Sequence, residues 1–138
     1  MASGSTRGCN IETRPVGFGV YDPLLYQSLE ARGTVIYTCF SSSILFPIRS
    51  VRIEISRGSA GTYDRSMSFG FERLLYNLYL DSNHTTVWGD GSGGSQYYVD
   101  SHPPNYTPVS VPIHGLVPGR QNVAAGFYSD SLLVKILF

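Results

Sequence analysis

The chain has 138 residues, of which 42% are hydrophobic and 14% are charged, and its formal net charge is zero. This length suits one domain built around a single core. The charge balance excludes the strongly positive surface that binds nucleic acid. No apolar run approaches the roughly 20 residues of a membrane-spanning helix. The first residues lack the apolar stretch of a signal peptide, so either a signal has been removed or the protein is cytosolic.

Strand-like segments follow one another along the chain, separated by stretches rich in glycine, serine and proline. Residues 24–31 are compatible with about one helical turn. Pro112 predicts an edge position or a bulge, since proline cannot donate to a ladder. Short strands at this spacing predict an all-β domain, an immunoglobulin-like β-sandwich. The predicted strands cover residues 16–20, 34–40, 50–56, 65–69, 74–80, 109–113 and 131–138.

The segment 50–56 has the clearest inward face. Its alternation is unbroken and places Val51, Ile53 and Ile55 in the core. In the strand before it, the same period turns Cys39 inward together with a valine and a tyrosine. One side of each of these strands is therefore predicted to be buried.

The two cysteines, Cys9 and Cys39, have neither metal-type nor redox-type spacing. Such a pair favours one disulfide, which closes a loop of about 31 residues and contributes roughly 3 to 4 kcal/mol in the chain-entropy model. A disulfide indicates an oxidising compartment and hence a secreted protein. Two reduced, buried thiols are the alternative.

The last predicted strand presents an unguarded edge. Its opposite face carries a single charge, and no further strand follows it in the sequence. An edge of this kind binds a strand from another chain. We therefore expect a sandwich that lacks one strand and gains it from a partner. The apolar face of this candidate strand-addition edge consists of Leu132, Val134, Ile136 and Phe138.

Five spaced motifs run through the chain between Cys9 and Phe138. In their order and spacing they resemble the spore coat protein U domain family, which also supplies the subunits of archaic, Csu-type chaperone-usher pili. The resemblance covers nearly the whole chain. The motifs are GFGVYDP at 17–23, GTV and TC within 33–39, LYNLYLD at 75–81, TTVWGDGSGG at 85–94 and QNVAAGFYSD at 121–130.

The resemblance implies a pilin-like, incomplete immunoglobulin-like domain over residues 9–138, preceded by a stub or tag at 1–8. It implies a disulfide matching Cys9 to Cys39. It also implies export through the periplasm to the cell surface, with a periplasmic chaperone and an outer-membrane usher as assembly partners. Members of the family polymerise by donor-strand complementation, in which the N-terminal extension of one subunit fills the groove of the next. Neighbouring pilus subunits are then further partners.

The sequence departs from this family at residues 1–8, which are polar and too short to serve as a donor strand. Three explanations stay open. The chain is the receptor-facing domain of a tip adhesin, its donor segment was removed, or it is a spore or cell coat protein that assembles in another way.

Two apolar segments favour the adhesin. Tip adhesins of these pili are similar in carrying hydrophobic loops that insert into apolar surfaces, and clustered exposed apolar residues mark interaction sites. We expect these loops to contact an abiotic or host surface and to mediate attachment and biofilm formation. The alternative places residues 44–46 in the core, as part of a longer strand. The candidate residues are Leu24, Leu25, Tyr26, Ile44, Leu45, Phe46 and Pro47.

No set of residues predicts catalysis, a cofactor or a metal site. His84, His102 and His114 are far apart in sequence and lack metal-ligand spacing. Residues 90–94 resemble a calcium loop only faintly, and no serine lies in a nucleophile-elbow motif. The chain is therefore interpreted as a structural or adhesive subunit and not as an enzyme.

A carbohydrate-binding sandwich is a competing hypothesis, because aromatic side chains stack on sugars. More often such residues fill the core of a sandwich or cover its turns. The candidates for stacking are Trp88, Tyr97, Tyr98 and Tyr106.

Overall fold

The computed structural model describes residues 7–138. Within this range there are eleven strands, a 3-10 turn at Gly58–Ala60 and no helix that could span a membrane. The strands are β1 (Arg7–Arg14), β2 (Val20–Tyr21), β3 (Leu29–Ser41), β4 (Val51–Ile55), β5 (Ser66–Phe69), β6 (Glu72–Leu75), β7 (Asn77–Tyr79), β8 (Tyr98–Asp100), β9 (Val109–Val117), β10 (Gly126–Phe127) and β11 (Val134–Leu137).

Two sheets form a sandwich around one core. An antiparallel four-stranded sheet has the order β1-β3-β9-β7, and a three-stranded sheet has the order β11-β4-β8. Two short pairs, β10 with β2 and β5 with β6, complete the architecture. The inward side chains of both sheets belong to a single hydrophobic cluster. The predicted all-β sandwich is confirmed.

Strand alternation builds this core as the sequence predicted. Val51, Ile53 and Ile55 of β4 are at most 1% exposed, and Cys39 points inward from β3. Trp88 is fully buried, and its indole N–H donates to the carbonyl oxygen of Ile53 at 2.9 Å. Burying apolar surface stabilises a fold by roughly 25 cal/mol per Å², so these residues contribute much of its stability.

A disulfide joins the first strand to the second long strand. Cys9 and Cys39 are direct partners in the register of β1 and β3, and their Cα atoms lie 4.0 Å apart. The bond between their sulfur atoms confirms the predicted pair and excludes the two reduced thiols. It holds β1, an edge strand, against the sheet.

Three predicted strands differ from the structure. The predicted strand 131–138 is shortened to β11 at Val134–Leu137, so Leu132 and Phe138 lie outside it. Within 16–20 only Val20 lies in a strand, because Val16 packs against Gly33 and Gly115 instead of pairing, so closely that a Cβ at either glycine would lie 2.7 Å from it. The predicted strand 74–80 is divided between two strands, β6 and β7. They are separate because β6 pairs with β5, whereas β7 pairs with β9.

Other elements were incompletely predicted. The strands β1, β8 and β10 were not predicted. Instead of a helical turn within 24–31, the structure has a short turn in which the N–H groups of Leu24 and Leu25 donate to Asp22, and β3 begins at Leu29. Pro112 lies within β9, an inner strand of its sheet. The pairing of β7 with β9 stops at His114, however, so Pro112 pairs on one side only, with Thr34.

A buried arginine closes one margin of the sandwich. Arg65 is fully buried, and its Nε and Nη2 atoms donate to the carbonyl oxygen of Ser56 at 3.0 and 2.7 Å. Nη2 also donates to the carbonyl oxygen of Trp88 at 2.7 Å, and Nη1 donates to Asn77 Oδ1 at 2.9 Å. Burial lowers the pKa of this guanidinium. Arg65 thus satisfies carbonyl groups where the backbone has no strand partner.

Candidate functional site

The opposite margin of the sandwich contains an open groove. It lies where β1 ends and β11 begins. Each of these is the last strand of its sheet within residues 7–138. The groove has a volume of about 470 Å³, and its walls come from residues 13–19 and 127–134. A Cβ at Gly8 would lie 3.9 Å from the ring of Phe138. The two strands therefore approach each other at that end, and the groove lies toward the other.

The floor of the groove is apolar and its rim carries a fixed polar pair. Four buried side chains from both sheets and from β5 line the floor: Ile55, Met67, Leu78 and Ile113. At the rim the hydroxyl of Tyr76 donates to Asp130 Oδ2 at 2.6 Å, and burial, followed by this bond, raises the pKa of Tyr76. The arrangement suits an extended segment whose alternate side chains are apolar.

The predicted strand-addition residues lie along this margin in different positions. Leu132 and Val134 line the groove, and Ile136 is half-buried against the core. Phe138 is exposed and lies near Gly8, beyond the end of the groove. The edge of β11 that does not pair with β4 faces this margin.

One predicted loop forms an exposed apolar surface at the end of β3. Ser41 Oγ lies 2.7 Å from the carbonyl oxygen of Phe46 and 2.9 Å from that of Ser43, and these contacts hold the turn. Ile44, Leu45 and Phe46 are 95%, 75% and 57% exposed. Their alternative placement in the core is not observed. Pro47 is also exposed. We call the surface formed by residues 44–46, together with Tyr106 and Phe138, the Phe46 pole.

A second apolar surface was not predicted as such. Phe71 is fully exposed at the tip of the β5–β6 hairpin, where Gly70 has a φ of 60° and permits a tight turn. Phe127 pairs with Val20 across β10 and β2, and both are exposed. The ring of Phe69 packs over Gly126, where a Cβ would lie 2.8 Å from it.

The other predicted loop lies at the same end of the molecule. Leu24 and Leu25 are exposed in the connection from β2 to β3, and the guanidinium of Arg120 lies 4.7 Å from the ring centroid of Tyr26. We call the whole surface the Phe71 pole. It consists of Val20, Leu24, Leu25, Tyr26, Phe69, Phe71 and Phe127.

The two poles lie at opposite ends of β3. This strand has 13 residues, so at about 3.3 Å per residue it spans about 40 Å. The connection that carries Leu24 precedes β3, whereas the loop that carries Phe46 follows it. The two predicted loops therefore cannot contact the same flat surface from one molecule.

The candidates for sugar stacking do not form a platform. Trp88 is buried, and the hydroxyl groups of Tyr98 and Tyr37 lie 2.9 Å apart. Tyr97 is covered by the guanidinium of Arg52, 3.7 Å from its ring centroid. Tyr106 lies at the Phe46 pole, near Phe40. The aromatic residues therefore fill the core and cover turns.

The fold brings together two histidines that are distant in sequence. The rings of His84 and His114 lie 6.4 Å apart, and His84 Nδ1 is 3.8 Å from Glu30 Oε1. Burial, with a smaller effect of Arg32, lowers the pKa of His114. Across residues 7–138 no three histidine, cysteine, aspartate or glutamate side chains are grouped as a metal site would require.

Comparisons with known proteins agree with this architecture. Protein U of Myxococcus xanthus is 28% identical over 133 residues, which cover 89% of this chain and 71% of that protein. A chain of the CsuC-CsuE chaperone-tip adhesion subunit pre-assembly complex, from the archaic chaperone-usher Csu pili of Acinetobacter baumannii, has a similar fold. The match has a TM-score of 0.66 at 17% identity and covers 96% of this chain but 40% of that one.

The family comparison covers almost the entire sequence. The model of the Spore Coat Protein U domain matches residues 2–135. The domain it describes is structural, which confirms that the chain is not an enzyme. The resemblance predicted from five motifs is also confirmed. The chain belongs to the spore coat protein U domain family.

Proposed function

We propose that the chain is a structural subunit of an archaic chaperone-usher pilus or a related coat, and that it accepts a β-strand from a neighbouring subunit. The observation that carries the proposal is the groove where β1 ends and β11 begins, with its apolar floor, beside the terminal strands of the two sheets. A strand in this groove pairs with backbone groups that otherwise bind water. Its alternate side chains cover Ile113, Met67 and the other apolar residues of the floor.

The assembly partners follow from the same proposal. A subunit with an open groove requires a chaperone that covers the apolar floor before assembly, because exposed edges of this kind aggregate. We propose a periplasmic chaperone, an outer-membrane usher and display at the cell surface. The disulfide between Cys9 and Cys39 supports passage through an oxidising compartment.

Attachment is the second part of the proposal. A terminal subunit contacts an abiotic or host surface through Ile44, Leu45 and Phe46, which project from a turn held by Ser41. Exposed apolar residues in such numbers favour an interaction surface. This contact mediates attachment and biofilm formation at the tip of the fibre.

The groove is tested by titrating the purified chain with a synthetic peptide of about ten residues that has valine at alternate positions. We expect Val134→Asp to weaken binding at least about tenfold, a loss of roughly 1.4 kcal/mol, because the charge enters the groove wall. Leu133→Asp is the matched control, because it adds the same charge at an exposed position outside the groove. Val134→Thr changes the packing without adding a charge and so separates the two effects. Equal affinities of the native chain and the Val134→Asp variant would contradict the proposal.

Attachment is tested with fibres that carry serine at positions 44, 45 and 46. We expect less adhesion to polystyrene at equal fibre number than for the native chain. A control variant with Leu24→Ser and Leu25→Ser changes the opposite pole and should adhere normally. Undiminished adhesion of the first variant would refute the surface contact while leaving the groove unaffected.

A further inference from the structure

The groove is apolar along its floor but carries charge on its walls. Among the residues that the structure describes, two charged side chains line it: Arg14 at the end of β1, and Asp130 on the wall formed by residues 127–134. Neither belongs to an ion pair, since the ion pairs within residues 7–138 join other side chains. A bound strand with only apolar side chains would leave the Asp130 carboxylate beside an apolar floor without a counter-charge, which is unfavourable.

Neutral donors hold the Asp130 carboxylate in position. Its Oδ1 accepts hydrogen bonds from the N–H groups of Ser59 and Ser131, both at 3.0 Å, and its Oδ2 accepts one from the hydroxyl of Tyr76 at 2.6 Å. Gly58 leaves room for the carboxylate, because a Cβ at this position would collide with Oδ2. The carboxylate is therefore oriented before a ligand arrives, and binding to it requires little further ordering.

The wall is anchored on both sides of Asp130. On one side, the backbone of Ser129 exchanges two hydrogen bonds with that of Ser68 in β5, at 2.9 and 3.0 Å. On the other side, the N–H of Leu133 donates to Ser56 Oγ at 2.8 Å, and its carbonyl oxygen accepts from the N–H of Ser56 at 2.9 Å. These bonds fix the height of Asp130 along the groove.

The apolar groove meets a polar depression at Asp130. Both are lined by Asp130 and by its neighbour Ser129. The depression has a volume of about 440 Å³, and serine residues supply most of the rest of its lining: Ser59, Ser68 and Ser131. A charged side chain of a bound strand can therefore contact Asp130 and water at this point of the groove.

The carboxylate has capacity for one further donor. Its two oxygens offer about four acceptor positions, and the three donors named above use three of them. The planar fork of arginine favours two parallel bonds, whereas the ammonium of lysine is a compact charge that needs only one. Arg65 interacts with Asp130 through space, but its guanidinium donates to backbone carbonyl groups and to Asn77 instead. The remaining position suits a lysine.

We infer that the strand accepted by the groove carries one lysine among its apolar side chains, at the position where it passes Asp130. The inference rests on the proposed strand acceptance and adds a charge that fixes the register of the bound strand. Alternation alone leaves the register open, since a strand shifted by two residues presents the same face. A lysine opposite Asp130 disfavours each shifted register, because the shift leaves both charges unpaired.

Titration of the native chain with a set of peptides tests this inference. The parent is the valine peptide, the peptide of about ten residues with valine at alternate positions. Each valine is replaced in turn by lysine, by glutamine and by acetyl-lysine, which keeps the lysine stem but has no charge. At one position we expect lysine to bind at least about fivefold more tightly than both neutral side chains. The absence of such a position would overturn the inference.

Two charge-removing variants show whether Asp130 causes the preference. Asp130→Asn keeps an oxygen acceptor for Ser59 and Ser131 and should abolish the preference for lysine. Asp64→Asn removes a charge at an exposed position outside the groove and should retain it. A purely structural role of Asp130 would weaken the lysine and glutamine peptides equally, and that result would overturn the inference. The acetyl-lysine comparison uses the native chain, so it decides the matter even if Asp130→Asn does not fold.

The parent peptide distinguishes this inference from the proposed function. A native chain that binds the valine peptide but never prefers lysine retains strand acceptance and overturns the lysine alone. A native chain that binds none of the peptides overturns strand acceptance and the inference with it. Tightest binding of one lysine peptide, lost in Asp130→Asn, would support both.

Discussion

The two margins of the sandwich satisfy their backbone groups in different ways. At the margin of β7 and β8, the segment around Trp88 bridges the two sheets. The N–H of Trp88 donates to the carbonyl oxygen of Leu78 in one sheet, and the N–H of Ile55 in the other sheet donates to the carbonyl oxygen of Gly89. Arg65 satisfies the remaining carbonyl groups there. At the margin of β1 and β11 no described segment does so, and the groove stays open. Within the described residues, the chain closes one margin itself and leaves the other open.

Replacing Arg65 by methionine tests the closed margin and should have the largest effect. The carbonyl groups of Ser56 and Trp88 lose their donor, whereas that of Ile55 keeps the Tyr63 hydroxyl. Each buried unsatisfied group costs about 1 to 3 kcal/mol. We expect the free energy of unfolding in urea to fall by about 4 kcal/mol. Arg57→Met, at an exposed position nearby, should change it by less than about 0.5 kcal/mol. Equal effects of the two would show that the buried network contributes little.

Removing the disulfide tests how much it stabilises β1, the edge strand at the open margin. Cys9→Ala with Cys39→Ala frees a strand that is paired on one side only. For a sequence separation of 30 residues, we expect a loss of about 3 to 4 kcal/mol in thermal or chemical unfolding. Peptide binding to the groove should weaken as well, because β1 forms one wall. A double variant with native stability would contradict this account.

Filling the groove should stabilise the protein by a smaller amount. A ligand that binds only the folded state at 100 times its dissociation constant adds about 2.7 kcal/mol. We expect the valine peptide to raise the melting temperature, whereas a peptide with serine at the same positions should not. The same rise with both peptides would mean that the apolar floor does not select the strand.

The smallest expected effect is a pH dependence near His114. Burial lowers the pKa of His114 below its ordinary value near 6.5, and Arg32 and His84 act in the same direction, whereas Asp81 raises it. The unfolded state therefore binds the proton more tightly, so stability is full above about pH 6.5 and declines below it. Urea unfolding at several pH values measures this decline. His114→Gln should reduce it and His102→Gln, at an exposed position, should not.

The sequence predicted the strands that alternate most regularly. The faces of β3 and β4 and the disulfide partner of Cys39 follow from side-chain period and cysteine count. It failed where pairing is decided by distant residues. Residues 16–20 carry strand-forming side chains, yet Val16 and Phe18 pack over Gly115, whose lack of a Cβ no local pattern reveals. The pair of His84 and His114 was missed because only the fold brings these two distant residues together.

For the candidate site, the sequence indicated which residues are apolar but not where they lie. Leu132 and Val134 could be assigned to an edge because alternation and the lack of charges are local properties. The placement of residues 24–26 and 44–46 at opposite ends of β3 required the fold. The contribution of Phe71 became visible only once the hairpin placed it at the surface.

The amino-acid sequence by itself determined the class of fold, the cysteine pair, the family and the inward faces of the regular strands, because these depend on composition, spacing and short-range period. The tertiary structure alone decided which margin is closed by Arg65, which one holds the groove, and how the exposed apolar residues divide between two poles. These features arise from contacts between segments far apart in the chain, and the packing of the whole domain sets them.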